Sequence, residues 1–213
     1  MRRLSPTDRL LSACDEALCT LFGRPRATER PDPAELMPEP DLDDNARALS
    51  ARLMRVNHAG EVAAQGLYQG QALTARREEV RERMERSARE ENDHLAWCAN
   101  RLRVLDGHTS VLNPLWYAGS FTLGALAGAA GDKWSLGFVN ETEQQVVRHL
   151  DDHLGRIVVE DAPTRAVLEQ MKIDEAHHGE LAMSLGGAEL PWPVRRVMMP
   201  AVSKVMTRIA YWV

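Results

Sequence analysis

Apolar residues recur every three or four positions along most of the chain, and four long stretches carry this helical rhythm. The first runs from about Asn45 to Leu73, the second from about Glu78 to Leu105, and the third from about Lys133 to Val159. The fourth begins after Pro163 and stops at Gly186-Gly187, a common C-terminal signal. A shorter helix is predicted at the N-terminus. It opens at Ser5-Pro6-Thr7-Asp8, with serine as cap and proline at the first helical position, and sets Leu10, Leu11, Cys14, Leu18 and Leu21 at helical spacing up to Gly23. Residues 24–44 are rich in proline and acids and read as a linker or extended strap, with Asp43-Asp44 placed to open the next helix.

Two further segments break the rhythm. The stretch from about Gly107 to Asp132 separates the second and third long helices and has the length of a bundle crossover. Within it, Val111–Gly131 is free of charge and long enough to suggest a membrane span. Asn113, Pro114 and the glycines dilute its apolar content, so a helix packed across the bundle, or dipping into a membrane surface, is expected instead. In the C-terminal stretch Pro191–Val213, Met198, Ala201, Val202, Val205, Ile209 and Trp212 share one stripe, with Lys204, Thr207 and Arg208 on the opposite face. Basic residues beside an apolar stripe suit a helix lying on anionic lipid; a helix packed on the bundle by that stripe is the equal alternative.

The chemistry lies in two Glu-x-x-His runs. Glu91-Asn92-Asp93-His94 and Glu175-Ala176-His177-His178 each follow another helical glutamate, Glu61 and Glu143, by 30 and 32 residues. Residues three apart on a helix lie about 60° apart, so each run turns a carboxylate and an imidazole to one point. Four carboxylates and two imidazoles from four helices are the ligand inventory of a di-iron or di-manganese carboxylate centre. The turns lie where such a site needs them. The midpoint of the first set falls near Arg77 and that of the second near Glu160, so all six side chains reach one level of two antiparallel hairpins. Two ferrous ions would balance the four carboxylates, which lets the cluster sit in an apolar interior. One nitrogen per metal leaves coordination positions open, as oxygen activation requires.

The neighbours of Glu61 and Glu143 are small or apolar, which distinguishes them from Glu82, Glu85 and Glu90, read as a solvated face. His58 and His149 are candidates for a supporting role around the metals. His153 and His177 read as surface or capping groups, His108 as a loop residue, and Tyr68 as a structural aromatic more than a radical site.

Composition narrows the picture. Aromatic residues make up 5% of the chain and alanine and leucine are abundant, which favours an all-α fold over its 213 residues. The formal charge of −5 argues against a nucleic-acid partner, although Glu189 is the last acid and the tail beyond it carries Arg195, Arg196, Lys204 and Arg208. Cys14, Cys19 and Cys98 show neither metal spacing nor a disulfide framework, which suits a reducing cytosolic face. No secretory signal follows Arg2-Arg3. The expected organisation is an N-terminal helix and acidic linker (1–44), a ferritin-like four-helix bundle with a di-iron centre (45–190) and an amphipathic, membrane-associating helix (191–213).

Leu53-Met54-Arg55-Val56-Asn57-His58-Ala59-Gly60-Glu61 and Glu91-x-x-His94 resemble the Coq7 family of demethoxyubiquinone hydroxylases, as do Ser135-Leu136-Gly137-Phe138-Val139-x-Glu141-Thr142-Glu143 and Asp174-Glu175-x-x-His178-Gly179. The resemblance runs from about residue 45 to the C-terminus. It implies an oxygen-dependent di-iron monooxygenase that hydroxylates the ring of a polyprenylated methoxy-methyl-benzoquinol in ubiquinone biosynthesis. It also implies that Glu61, Glu91 and His94 hold one iron and Glu143, Glu175 and His178 the other, with Glu91 and Glu175 able to bridge. It selects Glu143 over Glu141, both carboxylates of the third helix, and matches His149 to a histidine near the metals. O2 is the co-substrate and an external electron donor the partner. A bilayer-borne substrate implies a peripheral position on the cytoplasmic side of the cell membrane. A homo-oligomer, or a complex with other proteins of quinone biosynthesis, stays open. The rival readings are another ferritin-like oxidase or hydroxylase, including one acting on modified tRNA, an iron-sequestering protein, and a metal-free helical adaptor.

Overall fold

The computed structural model describes residues 6–23 and 30–213, and within them every regular element is helical. In chain order these are α1 (Pro6–Phe22), α2 (Asp44–Thr74), α3 (Glu78–Val104), α4 (Asn113–Ala130), α5 (Asp132–Arg156), α6 (Ala162–Ser184) and α7 (Met199–Ala210), the last entered through a π-helical segment, Val194–Met198. The cap expected at Ser5 and the side chain of Leu10 lie outside the described residues.

Two antiparallel hairpins, α2–α3 and α5–α6, make the bundle. Their turns fall at residues 75–77 and 157–161, where the spacing of the acidic and histidine positions puts them. Asp43 caps α2 by accepting from Ala46 N at 2.8 Å, and Asp161 caps α6 by accepting from Thr164 N at 3.3 Å. The first turn is closed from outside: the Asp132 carboxylate, in the first turn of α5, accepts from Arg76 N and Arg77 N, both at 2.9 Å. Free amides at the start of α3 thereby gain an acceptor from the other hairpin. The predicted third helix overshoots by three residues, because α5 stops at Arg156 and Ile157 turns to extended backbone.

The crossover is a helix, α4, laid along α2. Residues around the whole circumference of α2 are buried as a result, polar ones included. Glycines set the approach. Gly66 and Gly70 of α2 lie against the backbone of Tyr117, Phe121 and Ala125, and Gly124 and Gly128 of α4 lie against the backbone of Leu67 and Gln71. Four positions without Cβ atoms let the two backbones touch. At the far end, Gly131 takes φ +121°, open to glycine, and turns the chain from α4 straight into α5. No helix among the described residues is long and apolar enough to cross a membrane.

The strap after residue 30 is docked. Ala34 and Leu42 are part of the core formed by Met54, Trp97, Leu102 and Met171. Asp32 accepts from Asn100 Nδ2 at 3.0 Å. Buried Arg101 reaches Glu39 at 2.5 Å and the α6 cap Asp161 at 3.4 Å. The C-terminal end is tied down as well: Arg55 of α2 donates to the carbonyls of His108 and Tyr211, at 2.9 and 3.3 Å.

Helix α7 packs through Met199, Met206 and Ala210, not through the predicted stripe. Met198, Val202, Val205, Ile209 and Trp212 face outward with Lys204 and Arg208. Thr207, placed with the basic face by the sequence pattern, is half-buried against the bundle.

Candidate metal centre and its cavity

All six sequence-selected residues are buried, and α2, α3, α5 and α6 bring them to one level of the bundle. His94 Nδ1 lies 2.8 Å from Glu91 Oε2, 3.1 Å from Glu175 Oε1 and 3.8 Å from Glu61 Oε2. His178 Nδ1 lies 2.9 Å from Glu91 Oε1 and 3.4 Å from Glu175 Oε2. Glu91 and Glu175 therefore each face both histidines, while Glu61 and Glu143 flank the group from α2 and α5. Ligand atoms of Glu61, Glu91, His94 and Glu175 fall within 4.8 Å of one another and could hold a metal ion. Glu141 turns elsewhere, to Arg148 and Gln145, both at 3.3 Å.

The electrostatics are those of a buried anionic cluster. Burial, reinforced by Glu175 and Glu91, pushes the Glu61 and Glu143 carboxyls well above the ordinary range. Glu91 moves the other way: burial alone would raise it, but the imidazoles of His94 and His178 hold it low. Burial likewise opposes charge on His178, yet Glu91, Glu175 and Glu90 together push it up to about 12. Such a site gathers positive charge, as protons or as metal. Glu91 Oε1, Glu175 Oε2 and His178 Nδ1 converge at 2.9–3.4 Å, yet none of the three makes a well-directed hydrogen bond. Hard oxygen donors and imidazole lone pairs aimed at a common point fit divalent iron or manganese.

The outward nitrogen of each histidine is also held, and the holding is crossed between helices. His94 Nε2 meets Asp174 Oδ2 at 2.9 Å and His178 Nε2 meets Glu90 Oε2 at 3.0 Å. Carboxylates behind metal-facing imidazoles orient the ring and raise its basicity. Glu90, read from sequence as solvated, is half-buried in this role, and His178 with Arg86 and Arg83 keeps it down to about 2 against the opposing effect of burial. One signal could have found both carboxylates: in each run an acid immediately precedes the glutamate, Glu90-Glu91 and Asp174-Glu175. Tyr68 is buried, and its hydroxyl donates to Glu143 Oε1.

A cavity of about 210 Å³ opens beside the cluster. Glu61, Glu143 and Glu175 lie at its base, Leu67, Leu123, Phe138 and Val146 on its walls, and Met198, Met199, Val202 and Met206 along the π-helical segment and α7. His149 is also on the wall, its Nε2 buried without a partner and burial lowering its pKa. Its ring lies 4.0 Å from that of His153. His153 corrects the sequence reading: it is buried, one turn further along the inward face of α5. His58 is buried too, but it faces Asn113 at 3.5 Å and not the cluster.

A model of the family described as "Ubiquinone biosynthesis protein COQ7" matches residues 48–210. The chain belongs to the COQ7 family. It is 61% identical over 212 residues to the "3-demethoxyubiquinol 3-hydroxylase" of Nitrosococcus oceani, covering 100% of this chain and 99% of that one. Proteins of the same name from Pseudomonas putida and Acinetobacter baumannii are 54% and 50% identical, over 99% and 100% of this chain and 97% and 100% of theirs. The match to these relatives takes in the strap, which lies before the span of the COQ7 family model.

Proposed function

We propose that this chain, like its named relatives, hydroxylates the ring of a prenylated demethoxyubiquinol, using a two-iron centre held by Glu61, Glu91, His94, Glu143, Glu175 and His178. The observation that carries the assignment is that Glu91 and Glu175 each approach both inward histidine nitrogens, at 2.8–3.4 Å, so that either carboxylate could be shared between two metal ions. Glu61 and His94 would complete the ligand set of one iron, Glu143 and His178 that of the other. The irons, when bound, supply the activation of O2. One oxygen atom goes to the ring and the other leaves as water, so an external donor must provide two electrons and two protons.

The chain's own residues position the ring and exclude water. A cavity of about 210 Å³ is smaller than the roughly 300–1,000 Å³ of pockets that enclose drug-sized ligands. It suits one substituted ring, with the prenyl tail outside. We assign His149 Nε2 the role of accepting a hydrogen bond from a quinol hydroxyl, because burial keeps that ring neutral and the atom has no protein partner. The Tyr68 hydroxyl holds Glu143 in place.

The outward stripe of α7 supports access from a bilayer. Met198 and Val202 belong both to the cavity wall and to the exposed apolar surface. With Lys204 and Arg208 beside it, this stripe supports peripheral attachment to anionic lipid on the cytoplasmic side. Quinone profiling in cells lacking the protein tests the reading. A methoxy-quinol short of one ring oxygen should accumulate, and an unchanged quinone pool in cells with no second hydroxylase would overturn it.

A further inference from the structure

The carboxylates behind the two histidines are each braced, but by different means. On α3, Glu90 accepts from Arg86, four residues earlier on the same helix, at 2.9 Å. Arg83 adds a contact at 3.5 Å. On α6 the position four residues before Asp174 is Gln170, a neutral residue, which donates to Asp174 Oδ1 at 2.9 Å. The cation on that side comes from the strap. Arg30 Nη1 donates to Asp174 Oδ2 at 2.8 Å, the same oxygen that meets His94 Nε2 at 2.9 Å.

The rest of the guanidinium is used as well. Arg30 Nε donates to Asp93 Oδ2 at 2.8 Å, one residue before His94. The group lies 5.1 Å over the ring of Trp97, which itself stands 5.3 Å from the His94 ring. One planar fork thus joins the residue preceding His94 to the residue preceding Glu175, and rests on an aromatic face that touches the histidine. A lysine cannot reproduce this, because its ammonium lacks the fixed two-sided geometry.

We propose that Arg30 is a positioning residue of the His94 metal site, supplying from the N-terminal strap the cation that Arg86 supplies to the His178 site from within α3. The two halves then share one design, histidine, carboxylate, arginine, and the strap completes the half in which α6 carries glutamine. The proposal rests on reading the six buried residues as a two-metal centre.

Co(II) is the probe, titrated anaerobically into the full metal-free chain and followed by its d–d absorption. Wild type should bind two ions. Arg30→Ala should weaken one of them by up to about 10-fold, the lower end of the cost of losing a direct partner of the ligand, since Arg30 acts through Asp174, and shift that ion's band. The double variant R30A/Q170R, which moves the arginine to the position that Arg86 occupies on α3, should recover the wild-type titration. Asp32→Ala, which cuts another tether of the strap, should leave both ions bound. If Arg30→Ala titrates as wild type, the proposal fails. It fails equally if Asp32→Ala copies the Arg30→Ala defect and Gln170→Arg rescues nothing, since Arg30 would then only dock the strap. Should Arg30→Ala not fold, Arg30→Gln, which keeps a hydrogen-bonding side chain but no charge, carries the same test, and an unaltered titration overturns the proposal. Failure of wild type to take up Co(II) would instead overturn the two-metal reading itself.

Discussion

Replacing Gly70 by alanine tests whether the glycine contact between α2 and α4 is what holds the crossover helix in place. A Cβ built on Gly70 meets Ala125 N at 2.8 Å and the Phe121 carbonyl oxygen closer still. Both are main-chain atoms, which cannot rotate aside. Ordinary contact would require the helices to part by about 1 Å, enough to forfeit a quarter or more of each dispersion contact along the interface. Overpacking of this kind costs about 1–3 kcal/mol, and backbone obstruction belongs at the upper end. Alanine's better helix propensity returns up to ~1 kcal/mol. Gly119 supplies the control: it is in α4 itself, exposed, and its added Cβ meets nothing within 4 Å. Gly119→Ala should therefore stabilise by roughly 0.5–1 kcal/mol. Urea unfolding followed by circular dichroism should separate the two variants by about 2 kcal/mol or more, with wild type between them. If Gly70→Ala is as stable as Gly119→Ala, α4 is not held by backbone contact and the account of the fold is wrong.

Other consequences are as direct. On the proposed two-iron reading, Glu91→Ala and Glu175→Ala should each lower bound iron below two ions per chain and abolish turnover while helical content stays near wild type; full iron occupancy and normal turnover in both would refute the shared-bridge assignment. Burial lowers the His58 pKa to about 4, below its unfolded value, so the folded state binds fewer protons between those pH values. Stability should rise with pH across that window by about 3 kcal/mol, and His58→Gln should flatten this part of a pH series of urea midpoints. Charge reversal at Lys204 and Arg208 should weaken binding to anionic vesicles by roughly 2 kcal/mol per residue, about 1 for the lost attraction and about 1 for the added repulsion. Val205→Asp should weaken it at any lipid charge; equal vesicle binding by wild type and variants would leave α7 without a membrane role.

The hairpins were legible because chemistry and geometry overlap in the sequence. Glu61 to Glu91 and Glu143 to Glu175 fix where each chain must reverse, and Ala75–Arg77 and Ile157–Asp161 do reverse it. The family and the all-helical fold followed from the same positions. The path of α4 was not legible. Gly124 and Gly128 look like mere dilution of an apolar run until Gly66 and Gly70 are set opposite them, and that pairing is tertiary. The outward turn of the α7 stripe was half legible, since periodicity finds an apolar face without saying what it meets. Glu90 was misread because Arg86 and Glu90, four apart on a charged helix, look like any surface pair. Its partner His178 is on another helix. His153 was misread for a related reason: its neighbours Asp151 and Asp152 suggest solvent, while the histidine points the other way.

The cavity wall bears on how long such an enzyme lasts. Met198, Met199 and Met206 line the space next to the cluster, and thioethers are soft, mobile and easily oxidised. On the proposed reading, their flexibility would let the wall mould itself to a substituted ring. On the proposed reading the same side chains sit in the path of any oxidant that escapes the centre. Sulfoxide formation would turn an apolar lining polar and stiffen its fit to the ring. Inactivation during turnover should then follow oxygen consumption, and peptide mass spectrometry should find the added oxygen at these three methionines before those of the core, such as Met54 and Met84.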